Sequence, residues 1–143
     1  MSDALSAPGI AEQWLAQQLS SDSQLAGLVG ARIYSTIAPQ GTSYPLVIYA
    51  ALAGVDETAL GMIRALTRLR YAVKAVHTAA NLATLDAIAR RIDQILQGNT
   101  ASLAGGLVLG CLRLTIVTLG HAEQGVQYRQ IIQTYEIVVK ETT

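Results

Sequence analysis

The stretch Ser43-Tyr-Pro-Leu-Val-Ile-Tyr-Ala50 (SYPLVIYA) decides how the fold of this chain is interpreted. Proline favours an extended conformation in the residue before it and cannot donate to a strand ladder, so Pro45 fits at the beginning of a strand. The run 46–52 that follows is apolar at consecutive positions, which predicts an interior strand covered on both faces. A shorter run at 32–35 (RIYS) predicts another short strand just before it.

Downstream of this strand, the spacing of apolar residues predicts first a strand and then a helix. In 68–77 apolar and basic residues alternate, which predicts one core face and one basic, solvated face. Segment 82–96 has the longest amphipathic helical pattern, with Asn81 as its N-cap and Gly98 just past its end. The first 30 residues predict two shorter helices.

Two further strands are expected near the C-terminus. The first runs over about 108–119, with Leu112, Leu114 and Ile116 facing inward. The second, 128–140, would span ~40 Å at ~3.3 Å per residue, much longer than a typical strand. Its apolar alternation is imperfect, so either a bulge kinks it or one end leaves its own sheet and pairs with a neighbour.

The order of these elements predicts an α+β fold. We expect a mostly antiparallel sheet of four to five strands, with one main helix packed on a face and short N-terminal helices. Segment 53–67 (AGVDETALGMIRALT) has no regular spacing and is predicted to be irregular, since Gly54 and Gly61 argue against a long helix. The length of 143 residues predicts a single domain over 1–143.

The composition favours contacts with other proteins. Hydrophobic residues make up 51% of the chain and charged residues only 14%, so much of the surface must be uncharged. Large apolar surfaces usually mark interaction sites. The alternative is a small domain rich in Ala and Gly with a polar Ser/Thr/Gln surface.

The charge balance and the single cysteine exclude several classes of protein. The formal net charge is zero, so we expect no sequence-specific binding to nucleic acid, which requires a basic excess. Cys111 is the only cysteine and predicts a reducing compartment. The N-terminus does not resemble a signal peptide and no apolar run reaches the ~20 residues of a membrane span, so we expect no membrane contact.

Residues that could support catalysis or metal binding do not form a recognisable site. His77 is interpreted as a structural histidine, His121 as solvated polar surface and Cys111 as a buried, inert thiol. The pair Asp56–Glu57 lacks further oxygen ligands at regular spacing. The basic residues on and beside strand 68–77 form a cluster of Arg64, Arg68, Arg70 and Lys74. This basic cluster is interpreted as a solvated strand face or as a set of salt bridges to an acidic neighbour. The sequence therefore predicts no enzyme, no metal and no cofactor.

The order of motifs resembles the tail completion family of tailed bacteriophages, also called tail terminator or head–tail joining proteins. The resemblance covers nearly the whole chain and is carried by LAGLVGARIY (25–34), YPLVIYA (44–50), DET (56–58), LRYAVKAVH (69–77), LATLDAIARRIDQIL (82–96) and QTYEIVVK (133–140). Segment 53–67 departs most from the family pattern.

The resemblance implies a structural protein of a phage or prophage with no turnover. It implies a homo-oligomeric ring, usually hexameric, that caps the tail tube, stops its polymerisation and docks to the DNA-filled head. The partners would be the tail tube protein and a head-side connector protein. The location would be the virion tail, and the host cytoplasm during assembly.

Contact residues are predicted from irregular and polar segments. The unpaired end of strand 128–140 and the loop 53–67 are candidates for contacts between subunits, and loops 35–43 and 119–127 for axial contacts. The residues concerned are Val55, Asp56, Glu57, Met62, Arg64, His121, Glu123, Gln124, Val138 and Lys140. The alternative is a small α+β ligand-binding or adaptor domain that acts as a dimer, and a hydrolase using His77 or Cys111 is a third possibility.

Overall fold

The structure, a computed structural model, describes residues 5–78 and 82–142. Within these residues the helices are α1 (Ala7–Ser20), α2 (Ser23–Val29) and α3 (Leu82–Leu96), and the strands are β1 (Ile33–Ser35), β2 (Leu46–Thr58), β3 (Arg64–Thr78), β4 (Ala101–Leu103), β5 (Gly106–Glu123) and β6 (Val126–Glu141). A single 3-10 turn, Leu60–Met62, connects β2 to β3. The predicted N-cap Asn81 lies outside the described residues.

The strands form one mixed sheet in the order β1-β2-β3-β6-β5-β4. Strand β1 is parallel to β2, and the other neighbours are antiparallel. The predicted α+β class is confirmed. The described residues form six strands, however, rather than four to five, and the short helices α1 and α2 share the buried core with the main helix α3. The additional strand β4 is three residues long, too short for its alternation to be recognised in sequence.

Strand β2 begins directly after Pro45, as predicted, but it is not covered on both faces. Helices α1 and α3 pack against the face that carries Val47 and Tyr49, α2 packs against these two helices, and residues of all three helices join the buried core on that face. Ile48 and Ala50 point to the opposite face and are half-buried. No helix among the described residues covers that face. The apolar residues on both sides of β2 therefore do not indicate two covering layers.

Strand β3 is oriented as predicted. Leu69, Tyr71, Val73 and Ala75 belong to the core cluster, while Arg68, Arg70 and Lys74 are more accessible on the other face. The amphipathic helix α3 also has its predicted bounds and buries its apolar stripe against β3 and β6.

An ion pair connects α2 to α3. The Asp22 carboxylate caps α2 by accepting from the N–H of Leu25 at 2.8 Å, and it also accepts from Arg91 Nη2 at 2.6 Å and Nε at 2.9 Å. The hydrogen bonds from Arg91 lower the pKa of Asp22 below its ordinary value of 3.8. Because the pKa is lowered on folding, the ionised carboxylate stabilises the native state.

We expect Asp22→Asn to lower the free energy of unfolding at pH 7, since asparagine keeps a capping oxygen but loses the charge that Arg91 contacts. Wild-type Asp22 makes its full contribution above pH 3.8 and loses it as the pH falls through the lowered pKa. The difference between the two proteins should therefore disappear in acid. Urea titrations across this pH range measure it. The control Asp86→Asn removes an exposed pair with Arg90 and should change stability by less than ~0.5 kcal/mol. An equal change in both variants would contradict the prediction.

Strand β6 lies in the middle of the sheet and is paired on both sides. Its residues 128–139 pair with β3, and 126–141 pair with β5. The register shifts lie on β5, between Val108 and Gly110 and between Arg113 and Thr115. The expectation that one end of 128–140 leaves its own sheet is therefore wrong. Its polar interruption, Gln133, is completely buried and donates to the carbonyl of Ala89 at 3.0 Å.

Candidate assembly surfaces

Segment 53–67 is not irregular, because most of it forms a β-hairpin that extends past the helices. We call the outer part of this hairpin, residues 52–66, the β2–β3 arm. Its ladder pairs Glu57 with Leu66 and Thr58 with Arg64. The tip is apolar and strongly exposed, with Leu60 at 96%, Met62 at 87% and Ile63 at 68%. The glycines that disfavoured a helix are compatible with this hairpin, since Gly61 lies at the tip with φ of 82°.

The charged residues of the β2–β3 arm are already paired within the chain. Arg64 lies 3.5 Å from Asp56 and 3.3 Å from Glu141, and Arg68 lies 2.6 Å from Glu57. Arg68 also contacts Glu136, at 3.4 Å. Arg64 and Arg68 of the basic cluster thus take part in salt bridges, and their acidic partners belong to the same chain. Exposed pairs such as these add little stability, but they reduce the net charge that the arm presents to a partner.

A second hairpin extends past the helices at the opposite end of the sheet. We call residues 114–128 the β5–β6 arm. Its turn is the dipeptide Gln124–Gly125, with φ of 50° and 80°, which is the two-residue turn that the twist of a hairpin favours. The predicted contact residues His121, Glu123 and Gln124 all lie at or beside this turn. Most of the arm is exposed on both faces.

The apolar residues of β5 were predicted to face inward, and this is wrong. Leu112 is 53% exposed, Leu114 39% and Ile116 51%. The exposed set continues with Val117 and Leu119. The core-facing part of β5 ends at Cys111, because the helices do not extend over the rest of the strand. Alternating apolar residues show which side chains share a face, but they do not show whether a helix covers that face.

The β5–β6 arm and the loop before β2 form one surface. The rings of Tyr44 and Tyr128 lie 4.9 Å apart, and His121 stacks on Tyr128 at 5.1 Å. A polar cavity of about 500 Å³ lies between the arm and the loop, lined by residues that include Gln40, Glu123 and Gln124. The two loops predicted for axial contacts, 35–43 and 119–127, are thus brought together at one end of the sheet.

The last two predicted contact residues lie within β6. Val138 pairs with Arg68 on one side and with Gly110 on the other. Lys140 is exposed and pairs with Leu107. Because both edges of the strand are occupied at Val138, its backbone cannot add to the sheet of another subunit.

Cys111 and His77, which were considered for catalysis, lie in strands β5 and β3. Cys111 is buried, and burial, together with the nearby Asp93 charge, raises the pKa of its thiol to about 12. Its reactive thiolate is therefore scarce near neutral pH. His77 lies at the end of β3, where burial and the Arg32 charge lower its pKa. Across 5–78 and 82–142, no group of three or more His, Cys, Asp and Glu residues could hold a metal ion.

An open groove of about 480 Å³ separates the beginning of α1 from the base of the β2–β3 arm. It is lined by small and apolar residues together with Asp56, Arg64 and Glu141, which already pair with one another.

Among the described helices, none is long and apolar enough to cross a membrane.

The comparisons with known proteins agree with this architecture. Residues 13–140 match the model of the family described as tail completion protein gp17. A chain in the structure of the virion of a native gene transfer agent particle has a similar fold, with a TM-score of 0.71 and 24% sequence identity, covering 88% of this chain and 91% of that chain. No curated protein sequence matches this chain. Because the family match covers most of the chain, including both arms, the chain belongs to the tail completion protein gp17 family, the structural proteins that complete bacteriophage tails.

Proposed function

We propose that this protein forms a closed ring, with six copies as the expected number, which caps the last layer of the tail tube and stops its polymerisation. The other face of the ring binds a head-side connector protein and so joins the tail to the head. The protein is located in the virion tail and is assembled in the host cytoplasm. The observation that supports this function best is the pair of exposed arms at opposite ends of one sheet.

The positions of the arms fit a ring with two different axial partners. The tip of the β2–β3 arm lies beyond the end of the sheet marked by Glu141, and the β5–β6 turn lies beyond the end marked by Tyr128. A ring built from such subunits presents apolar tips on one face and the aromatic and polar surface of Tyr44, Tyr128 and His121 on the other. The low charge of the chain also favours extensive contacts with proteins.

The proposed role involves no turnover. Support comes from the structural role of the family and from the buried position of Cys111. The predicted contact residues at the two arms then act through packing and polar contacts with neighbouring proteins. Val55, Asp56, Glu57, Met62 and Arg64 would serve at one arm, and His121, Glu123 and Gln124 at the other.

The dimeric ligand-binding alternative would use the groove beside α1. Light scattering and negative-stain microscopy of the purified protein separate the two functions. Rings, or a mixture of monomers and rings, support the proposal. A dimer whose melting temperature rises on addition of a small molecule supports the alternative.

The double substitution Leu60→Asp and Met62→Asp tests the axial role of the β2–β3 arm. Both side chains are almost completely exposed, so folding should be unaffected, whereas an unpaired carboxylate buried against a partner costs several kcal/mol. The gene is deleted from the phage or prophage genome and this variant is supplied instead. Electron microscopy should then show heads without tails, or tails of abnormal length.

The matched control is Leu82→Asp, an exposed apolar residue at the beginning of α3 on the helical layer. A carboxylate is favourable in the first turn of a helix, so this variant should assemble normally. Normal particles from the double variant would contradict the axial role of the tip. Failure of both variants would mean that assembly responds to added surface charge in general.

A further inference from the structure

Most of the outer edge of β5 pairs with no strand in the described part of the chain. Strand β4 pairs only with 106–108. Just beyond, the N–H of Gly98 donates to the carbonyl of Cys111 at 2.8 Å, and the N–H of Arg113 donates to Gln97 Oε1 at 2.8 Å. From 114 to 120, no strand among the described residues pairs with this edge. The segment therefore presents backbone donors and acceptors that a further strand could bind.

This edge lacks the features that usually prevent pairing with another chain. Natural edge strands are protected by charged side chains, by proline or by a covering element. Residues 114–120 (LTIVTLG) contain neither a charge nor a proline. Their apolar side chains are exposed on both faces of the sheet, Ile116 on the helix side and Val117 and Leu119 on the other. Such a strand is suited to pairing with another strand in the assembled protein.

The same chain carries a matching edge on β2. Strand β1 pairs only with 47–49, so the outer edge of β2 from 52 to 58 is bonded to no strand in the described part of the chain. Both free segments contain seven residues. The charges on the β2 segment, Asp56 and Glu57, are already neutralised by Arg64 and Arg68. We propose that the β5 edge at 114–120 of one copy pairs with the β2 edge at 52–58 of the next copy.

The relative positions of the two edges favour a second copy as the partner. They lie on opposite sides of the sheet, and β5 runs antiparallel to β2, so a neighbouring copy in the same orientation continues the sheet as an antiparallel pair. The contact joins different surfaces on the two copies, as a ring requires. Pairing two β5 edges around a two-fold axis would instead leave both β2 edges unpaired.

The edges are also displaced along the strand direction. One row across the sheet contains Tyr49, Val73, Gln133 and Ile116. Val55 pairs with Arg68, five rows beyond this row in one direction, and Val117 lies one row beyond it in the other, a displacement of about 20 Å at ~3.3 Å per row. A sheet that closes on itself needs tilted strands and a stagger of this kind. This inference rests on the ring proposed above, to which it adds the contact that joins the subunits.

The direction of the backbone groups follows from the ladder. Cys111, opposite Ile137, directs its carbonyl away from β6. Along an antiparallel ladder, pairs that bond to each other alternate with pairs whose N–H and C=O groups point away from the partner strand. Ile116 and Thr118 lie opposite Gln133 and Ile131, which are an even number of residues from Ile137 on β6. They therefore also direct their N–H groups to the outer edge, whereas Val117 bonds to β6. In the proposed contact Val117 of one copy faces Val55 of the next. Both lie on the face away from the helices.

Cysteine cross-linking tests this contact directly. In a Cys111→Ala background, the Val55→Cys and Val117→Cys chains are purified separately, mixed at increasing concentration and oxidised. Directly opposite residues have Cα atoms ~4.5–5.5 Å apart, within the range for a disulfide. The mixture should give covalent dimers, and neither chain should do so alone. The control Leu107→Cys, on the same face of β5 but beside β4, should not cross-link to Val55→Cys.

The outcomes separate this inference from the proposed function. Rings without a 55–117 cross-link would overturn the strand pairing and leave the ring intact. Dimers from Val117→Cys alone would also overturn it, in favour of a two-fold β5 pair. A chain that stays monomeric at every concentration without cross-linking contradicts both proposals.

Two separate proline substitutions give a second test. Thr118→Pro removes an outward N–H, which an edge strand tolerates, so the monomer should fold while the concentration needed for assembly rises about tenfold or more, equivalent to ~1.4 kcal/mol. Val117→Pro removes an N–H that bonds to β6 and should destabilise the monomer itself. Unchanged assembly of folded Thr118→Pro would contradict the proposed contact.

Discussion

Replacing Gly106 with alanine is expected to destabilise the protein by about 3 kcal/mol, the upper end of the usual cost of overpacking. A β-carbon at this position would lie 2.5 Å from the carbonyl oxygen of Lys140 and 2.7 Å from Cδ1 of Ile10. The oxygen belongs to the backbone of the neighbouring strand and cannot move without breaking the β5–β6 ladder. Circular dichroism during urea unfolding measures the loss.

The same strand supplies a matched control for this substitution. A β-carbon at Gly110 would have no atom within 4 Å, and alanine loses less backbone entropy on folding than glycine. Gly110→Ala should therefore be neutral or slightly stabilising, within ~0.5 kcal/mol of the wild type. Equal stability of the two variants would show that α1 and the end of β6 do not pack as closely against Gly106 as the structure shows.

Replacing Val138 with proline is expected to unfold the monomer. The residue pairs with Arg68 of β3 and Gly110 of β5, so the lost N–H and the rigid ring disrupt the middle of the sheet. Proline is found at edges and bulges and is rarely tolerated in a central strand. We expect a loss of about 3 kcal/mol or more, comparable to proline within a helix. The sequence-based expectation of an unpaired end on strand 128–140 would instead imply loss of oligomers with a folded monomer.

Thr118→Pro is the matched comparison for Val138→Pro, since it places the same residue on an edge. Thermal unfolding followed by circular dichroism should show a normal transition for Thr118→Pro and a lowered or absent one for Val138→Pro. A cooperative, wild-type transition for Val138→Pro would mean that β6 is not bonded on both sides at this position. The original expectation of an unpaired strand end would then be restored.

Local patterns predicted the elements that have a strong period. The alternation in 68–77 correctly separated the core residues of β3 from its basic residues, and the bounds of α3 were predicted over 82–96. The strand after Pro45 also begins where predicted. These predictions hold because a side chain's face within one element depends only on the local backbone geometry.

The sequence analysis missed both arms because apolar spacing does not show whether a helix covers a strand. The β2–β3 arm has no apolar alternation because neither of its faces is buried, and strand patterns depend on burial. In the β5–β6 arm the alternation is apolar but exposed, so it was interpreted as core. Gln124–Gly125 was a usable signal of a two-residue turn, since glycine favours positive φ there.

The sequence by itself determined the α+β class, the main helix, the basic face of β3 and the resemblance to tail completion proteins, because these follow from short-range spacing and from the order of motifs. Only the tertiary structure decided which strands have free edges. A strand edge is satisfied or left open by residues far away in the chain, as β6 is by β3 and β5. Hydrogen-bond pairing between distant segments leaves no trace in local hydrophobic spacing, so the free edges of β2 and β5 emerged only from the assembled sheet.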